Sequence, residues 1–471
     1  MSRKIYQSLI LKFDRIFFSG LCLACVLYSV YGANFAERHI KLDFLDFPVF
    51  IGEIILVLCW AWLVIRWSML GFPRQRWGWV LIAYIAWILV KAVRGYTDYG
   101  PLAFRNAALF YYPLFAVFTY WMMRDYSIKH PMLWAGLLLG IMGIQFHGIF
   151  AYFYLPYFLL ALVCVCRLPG KKWKWAGLFA IAFVFPFREF LSGGRAILLG
   201  HLAAFIFLLI SVLIGFVRLD RKKKWLLGGI GAGLLIGIYI FFSSGHALRT
   251  TVNVRKWLDA YVEGDRIVQA KRDTFQRREI EPQLYHSNRE LIAARKAGAA
   301  GPIQVRSEEK KVRTAYGNIL FRLFIWRDMM REYWTGNRLT GVSFGRPLRS
   351  LSIEILVMAW GEWVRDGWIM PHNVFVNMIY RAGIIGLGLI IAIFTYWGAM
   401  VRSFITVRSI EGLLLCAILI YWLVVAAFSV TLELPYQAIP FWSLWGGAWA
   451  YRKSLTNLSR ANRKENLLDH E

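Results

Sequence analysis

Apolar runs long enough to cross a bilayer recur along most of this chain, and nothing else in the sequence restricts its fold so tightly. A helix needs about 20 apolar residues to span the hydrocarbon core. Runs near that length lie at roughly 16–33, 49–66, 78–93, 107–123, 132–146, 148–166, 174–190, 196–217, 225–243, 373–400, 411–430 and 435–451. Hydrophobic residues fill 58% of the 471 positions and aromatics 17%, more than a water-soluble protein ordinarily carries. The expected fold is an all-α polytopic membrane protein of about 12 transmembrane helices, with one long extracytoplasmic loop between the ninth and tenth. Nine helices are expected over 1–243, the loop over 244–371, three helices over 372–453 and a cytoplasmic tail over 454–471.

Charge gives the orientation. The chain has 55 Lys and Arg against 28 Asp and Glu, a formal charge of +27. In a polytopic protein this excess belongs to cytoplasmic loops beside an anionic leaflet, and no nucleic-acid motif argues for another partner. With the N-terminus in the cytoplasm and sides alternated, the cytoplasmic segments hold 25 basic residues, in clusters such as Arg218/Arg221/Lys222/Lys223/Lys224. The short opposite loops hold seven: Arg38, Lys41, Lys91, Arg94, Arg105, Arg188 and Arg195. That bias puts both termini in the cytoplasm and the long loop outside. The basic start (Arg3, Lys4, Lys12, Arg15) mimics a signal peptide, but the run Ile16–Ala33 is long and lacks a cleavage site, so an uncleaved first span is expected. All six cysteines lie in apolar runs, which argues against a disulfide framework or a zinc site.

Within the loop, residues 255–313 are rich in Arg, Lys and Glu and read as a solvated helical hairpin. Thr314–Trp334 is apolar enough to lie on the membrane, and Gly341-Val-Ser-Phe-Gly345 reads as a turn. The loop ends in Met370-Pro371-His372-Asn373, where an apolar helix begins. Pro371 suits a helix entry, because its missing N–H is not needed there. His372 then sits at the membrane surface, where imidazole can accept or donate a proton near neutral pH; a histidine at a helix start can equally be structural. Asn373, Asn377 and Arg381 recur every four residues, a polar stripe of the kind that faces a bundle interior or cavity. Arg381 lies about 13 Å along the axis from His372, too far to share its work. Gly383 and Gly386 permit close helix packing.

Two arginines on the outer side stand out. Arg195 follows Ser192-Gly193-Gly194 where the eighth span begins. Such a turn lets the backbone approach a ligand, and a helix start favours an anion; the competing reading is an arginine snorkelling to headgroups. Arg322 precedes Trp326 by four residues, on the same helix face. A local cation–π pair is the alternative there, and Arg327 and Arg331 are neighbours that could take the same role.

Together these segments resemble the O-antigen ligase and Wzy polymerase superfamily. The likeness rests on Arg195-x-x-x-Leu199, on Arg322-x-x-x-Trp326 followed by Gly341-Val-Ser-Phe-Gly345, and on His372-Asn373 followed after nine residues by Gly383-x-x-Gly386. It covers roughly 185–400 by motif and the whole chain by topology. The resemblance implies a GT-C-like membrane glycosyltransferase of the bacterial inner membrane. It would take a glycan from undecaprenyl diphosphate on the periplasmic face and pass it to an acceptor. That acceptor is lipid A–core for a ligase and another lipid-linked unit for a polymerase; protein O-oligosaccharyltransferases are close enzymatic relatives.

His372, Arg195 and Arg322 are then the expected catalytic residues. Arginine holds phosphate bidentately and stays charged, and such contacts count for more near the bilayer's low dielectric than in water. No Asp-x-Asp motif or carboxylate cluster stands at the membrane face, so the expected route uses no metal or other cofactor. Substrate-binding roles are expected for Arg105, Arg188, Trp326, Asn373 and Asn377, with Glu53 a candidate partner for Arg105 or Arg188. The charged insert at 255–313 departs from the compact loops of the superfamily. A different class, a transporter or flippase of anionic lipid-linked sugars, would also want outward arginines and polar stripes. It would not need a surface histidine, and no inverted repeat of the kind many transporters carry is visible.

Overall fold

The structure is a computed structural model and describes residues 3–41, 48–70, 76–123, 154–167, 195–215, 259, 261–270, 307–336, 339–356 and 371–468. The runs read as spans at 132–146, 174–190 and 225–243, Arg188, and most of the 255–313 insert lie outside the described residues.

The described chain is mostly helical. Helix α1 (Arg3–Ala36) leads into a small hairpin, in which β1 (His39–Ile40) pairs antiparallel with β2 (Val49–Phe50). There follow α2 (Ile51–Leu70), α3 (Arg76–Tyr99), α4 (Leu102–Tyr111), α5 (Leu114–Met123), α6 (Tyr154–Arg167) and α7 (Arg195–Gly215). Then come α8 (Ser307–Thr335), α9 (Leu351–Ile355), α10 (Val374–Ala382), α11 (Ile384–Thr406) and α12 (Ile410–Ala426). A short 3-10 turn (Thr431–Glu433) precedes α13 (Pro435–Leu468). The chain divides into two compact units. The first comprises Met1–Phe242, Thr340–Arg346 and His372–Glu471; the second comprises Ser243–Leu339 and Pro347–Pro371.

In the first unit, Leu11–Ala36, Ile51–Ser68, Gly78–Tyr99 and Ile384–Thr406 are long and apolar enough to cross a membrane. Leu199–Ser211 and Ile410–Ala426 are shorter apolar helices. Large apolar side chains such as Val57, Val64, Val90 and Ile391 stand exposed along them. In water such surface would be a liability; against lipid it is the ordinary outer face of a spanning helix. This is an all-α membrane protein. Helix α12 is apolar all round and buried along nearly its whole length, which puts it at the centre of the unit. It packs on α6, α7 and α11, while α13 packs along α5. Gly446 permits that last approach, since a Cβ there would strike the Ala116 carbonyl.

Polar contacts sort the helix ends of this unit into two sets. At one end, Asp14 of α1 accepts from Trp62 Nε1 at 2.9 Å and pairs with Arg66 of α2. The Arg66 guanidinium lies 5.9 Å from the Trp121 ring centre on α5. Adjacent Tyr120 accepts from Lys453 of α13 at 3.0 Å, and Ser409, which caps α12, bonds Tyr451. At the other end lie Glu53, Lys91, α4, residues 340–346, α10 and the 3-10 turn, joined by the contacts described below. By helix rise, Glu53 and Arg66 stand about 20 Å apart along α2.

Three features differ from the sequence expectations. The run at 107–123 is two helices, α4 and α5, which meet at Pro113, where proline has no N–H for the ladder. The run at 373–400 breaks at Gly383, whose φ of 57° and ψ of −130° lie outside helical space, separating α10 from α11. Arg66, one of the 25 basic residues counted in the cytoplasmic segments, is buried against Asp14.

In the second unit, α8 buries Leu320, Phe324, Ile325, Met329 and Tyr333 as one stripe. Asp328 accepts from Ser350 Oγ (2.8 Å), Ser352 N (2.9 Å) and Ser352 Oγ (2.9 Å), which fixes the start of α9. Arg327 pairs with Asp265 from the helix over 261–270 and donates to Ser352 Oγ. Its guanidinium lies 4.8 Å from the Phe324 ring, which Tyr261 also stacks on.

Candidate functional site

The site is built around α10. Asn373 is extended, and its side-chain oxygen accepts from Phe375 N at 3.0 Å and Val376 N at 3.1 Å. That N-cap is worth about 1 kcal/mol to a helix. His372, one residue earlier, has φ of 51° and is half-buried. The left-handed region is uncommon outside glycine, although His reaches it more readily than most. Such conformations persist where the surroundings enforce them, and they gather at functional sites.

The far end of α10 is gripped by residues 340–346. Gly341 and Gly345 have φ of 74° and 82°, which favours glycine at both positions. A Cβ on Gly341 would lie 2.5 Å from the Arg381 carbonyl carbon, and one on Gly345 would lie 2.8 Å from Tyr99 Cβ. Val342 N donates to the Tyr380 carbonyl at 2.8 Å, and Gly345 N donates to Asn106 Oδ1 at 2.9 Å. Lys91 of α3 donates to the carbonyls of Thr340 (2.7 Å), Val342 (3.1 Å) and Arg381. Arg381, only 2% exposed, donates to the Ser343 carbonyl at 2.8 Å. The Gly341–Gly345 turn thus folds with the membrane unit. Gly386 completes the arrangement: a Cβ there would strike the Met378 carbonyl, so α11 leaves directly across the end of α10.

One face of α10 meets a carboxylate. Asn377 Nδ2 donates to Glu433 Oε1 at 3.0 Å. Glu433 ends the 3-10 turn between α12 and α13, a turn that also packs on α4. Burial pushes its carboxyl up to about 7, against the hydrogen bond from Asn377 and the charges of Arg381 and Arg105, which favour the ionised form. Glu433 was not expected as a site residue. Its signal in the sequence is slight, a single acid in Thr431-Leu-Glu-Leu-Pro435 between the last two apolar runs.

Of the two arginines expected as partners of Glu53, Arg188 lies outside the described residues, and among the described residues the partners shown are tyrosines. Glu53 accepts hydrogen bonds from Tyr111 Oη at 2.5 Å and Tyr112 Oη at 3.4 Å. Gly52 brings α2 against the Tyr28 and Tyr112 hydroxyls and Pro435, each 3.3 to 3.4 Å from where its Cβ would be. Arg195 opens α7, and only its backbone placement is described. Nearly two turns on, His201 stacks on Tyr421 at 5.3 Å, and Gly200 leaves no room for a Cβ beside Tyr421 and Val425. Val425 lies near the end of α12 that leads to Glu433, so α7 starts at the same end of the unit as α10.

The first unit therefore gathers His372, Asn373, Asn377, Arg105 and the start of α7 at one end. Arg322 and Trp326 belong to the second unit. Arg322 is half-buried on α8, and Trp326 Nε1 donates to the Pro371 carbonyl at 2.5 Å. Of the neighbouring arginines, Arg327 is held by Asp265 and Ser352, while Arg331 is exposed. Among the described residues, no three His, Cys, Asp or Glu side chains gather as metal ligands would. The chain matches no protein-family model and no curated protein.

Proposed function

We propose that this protein is a membrane glycosyltransferase of the O-antigen ligase type. It transfers a glycan from undecaprenyl diphosphate to an acceptor such as lipid A–core, on the periplasmic face of a bacterial inner membrane and without a metal. One observation carries the reading: His372 is held in a left-handed conformation at the polar end of an apolar helix array, just before the short helix that carries Asn377 and at the end where α7 starts. An amphiphilic lipid diphosphate needs such a place, with lipid-facing helices beside its tail and fixed polar groups at its head. The motif likeness supports the assignment of roles. Arg195 and Arg322 hold the diphosphate, whose negative charge grows as the glycosidic bond breaks, and a guanidinium serves there at any working pH. His372 binds the acceptor or the diphosphate. Substrate-binding roles go to Arg105, Arg188, Trp326, Asn373 and Asn377.

Glycolipid analysis of cells tests the proposal. A strain lacking the protein should accumulate undecaprenyl-diphosphate-linked glycan and lose the glycosylated acceptor. The wild-type gene should restore both pools and His372→Ala should not. Unchanged pools in the deletion strain would sink the assignment.

A further inference from the structure

Glu433 lies on the flank of α10, at the end of the membrane unit where that helix starts. It is carried on a short 3-10 turn fixed at both sides by buried helices, α12 and α13, which limits its freedom to move. One carboxylate oxygen is held by Asn377 at 3.0 Å. The residue as a whole is half-buried. Asn377 follows the cap residue Asn373 by one turn, so the nine-residue helix that begins just after His372 holds this carboxylate on its flank.

We propose that Glu433 takes the proton from the acceptor hydroxyl, with Asn377 as its positioning residue; this rests on the transferase reading above. The acceptor oxygen attacks the anomeric carbon. The bond from that carbon to the diphosphate oxygen breaks, and its electron pair leaves with the diphosphate. The hydroxyl proton passes to a Glu433 carboxylate oxygen and then to water. His372 is thereby left to bind and orient.

The electrostatics fit this task. A general base works best when it is ionised yet still basic near the operating pH. Burial raises the Glu433 carboxyl to about 7, while Asn377 and Arg381 of α10 and Arg105 of α4 keep it from rising further. From α12 and α13, no charged group among the described residues acts on it. Activity should therefore climb with pH as this carboxyl ionises.

The test is transfer by the full chain in proteoliposomes. The donor is the lipid-linked glycan fraction extracted from the source organism, and the acceptor is its total glycolipid fraction. Wild type should show a rising limb centred near pH 7. Glu433→Gln should lower kcat about 100-fold or more and abolish that limb, with KM little changed. Asn377→Leu should move the limb to higher pH, because it removes a hydrogen bond that favours the charged carboxylate; a merely structural role would not move it. Wild-type kcat and pH profile in Glu433→Gln would overturn the proposal. If that variant does not fold, an unmoved limb in both Asn377→Leu and Glu433→Asp would overturn it equally. Product from wild type with an unaffected Glu433→Gln defeats this inference alone, whereas no product from wild type defeats the transferase reading with it.

Discussion

The ammonium of Lys91 donates to the backbone carbonyl of Arg381, 290 positions away in the chain. That carbonyl belongs to the last turn of α10, where carbonyls lack partners within the helix and a cation is favourable. The same ammonium holds Thr340 and Val342, so one side chain joins α3, the Gly341–Gly345 turn and the helix that carries Asn377. Lys91→Met should destabilise the protein by about 3 kcal/mol, since hydrogen bonds to charged groups are worth about 1.5–3 kcal/mol and their buried acceptors would be left unmet. Denaturant melts in detergent measure this. An unchanged midpoint would show that the clamp is incidental.

The two glycines of the His-Asn…Gly-x-x-Gly segment do different work. Gly383 supplies a backbone conformation, and Gly386 supplies space against the Met378 carbonyl. Gly386→Ala should cost about 1–3 kcal/mol through overpacking and should displace α10. Gly388, two residues on, has nothing within 4 Å of where a Cβ would lie. Gly388→Ala should be neutral or stabilise by up to about 1 kcal/mol through helix propensity. Paired thermal melts decide it, and equal effects at both positions would contradict the packing account.

At the opposite end, Asp14 and Arg66 are 0% and 4% exposed and lie against each other. Asp14→Leu alone should cost about 3–5 kcal/mol, because it strands a buried guanidinium. Adding Arg66→Met should recover much of that loss, since apolar replacement of a buried pair is often close to neutral. A double variant no more stable than the single one would contradict this.

The all-α membrane character was legible because a bilayer demands long apolar runs, and Ile51–Ser68 and Ile384–Thr406 are long and apolar enough to cross one. The Gly341–Gly345 turn was legible because glycine marks left-handed backbone. Asn373 shows a subtler case: an Asn just before an apolar run signals a helix cap, and the four-residue stripe obscured it. The break at Gly383 was hidden because the apolar pattern continues through it. Glu433 and Lys91 were illegible for a different reason. A lone acid or lysine near the end of a span reads as solvated until tertiary structure supplies Asn377 or the three carbonyls. Glu53 did announce a buried partner, but phenols can serve a carboxylate as well as an arginine can, and sequence does not choose between them.

Arg322 and Arg327 lie on the same helix and should behave differently. Arg327 is engaged with Asp265, Asp328 and Ser352. Its pairs are partly exposed, so Arg327→Ala should cost only about 1 kcal/mol after solvent screening. Arg322→Ala should still fold and should remove transfer, with Arg322→Lys restoring it in part, because a point charge lacks the guanidinium fork. Full turnover by Arg322→Ala would end its assigned role.

The most direct measurement is transfer by purified protein in proteoliposomes supplied with a lipid-linked glycan and an acceptor, in excess EDTA, with product identified by mass spectrometry. Wild type should form the glycosylated acceptor, and a folded His372→Ala should form none. If neither forms product and both move the lipid-linked glycan across the bilayer at the same rate, the protein is a transporter and the account is contradicted.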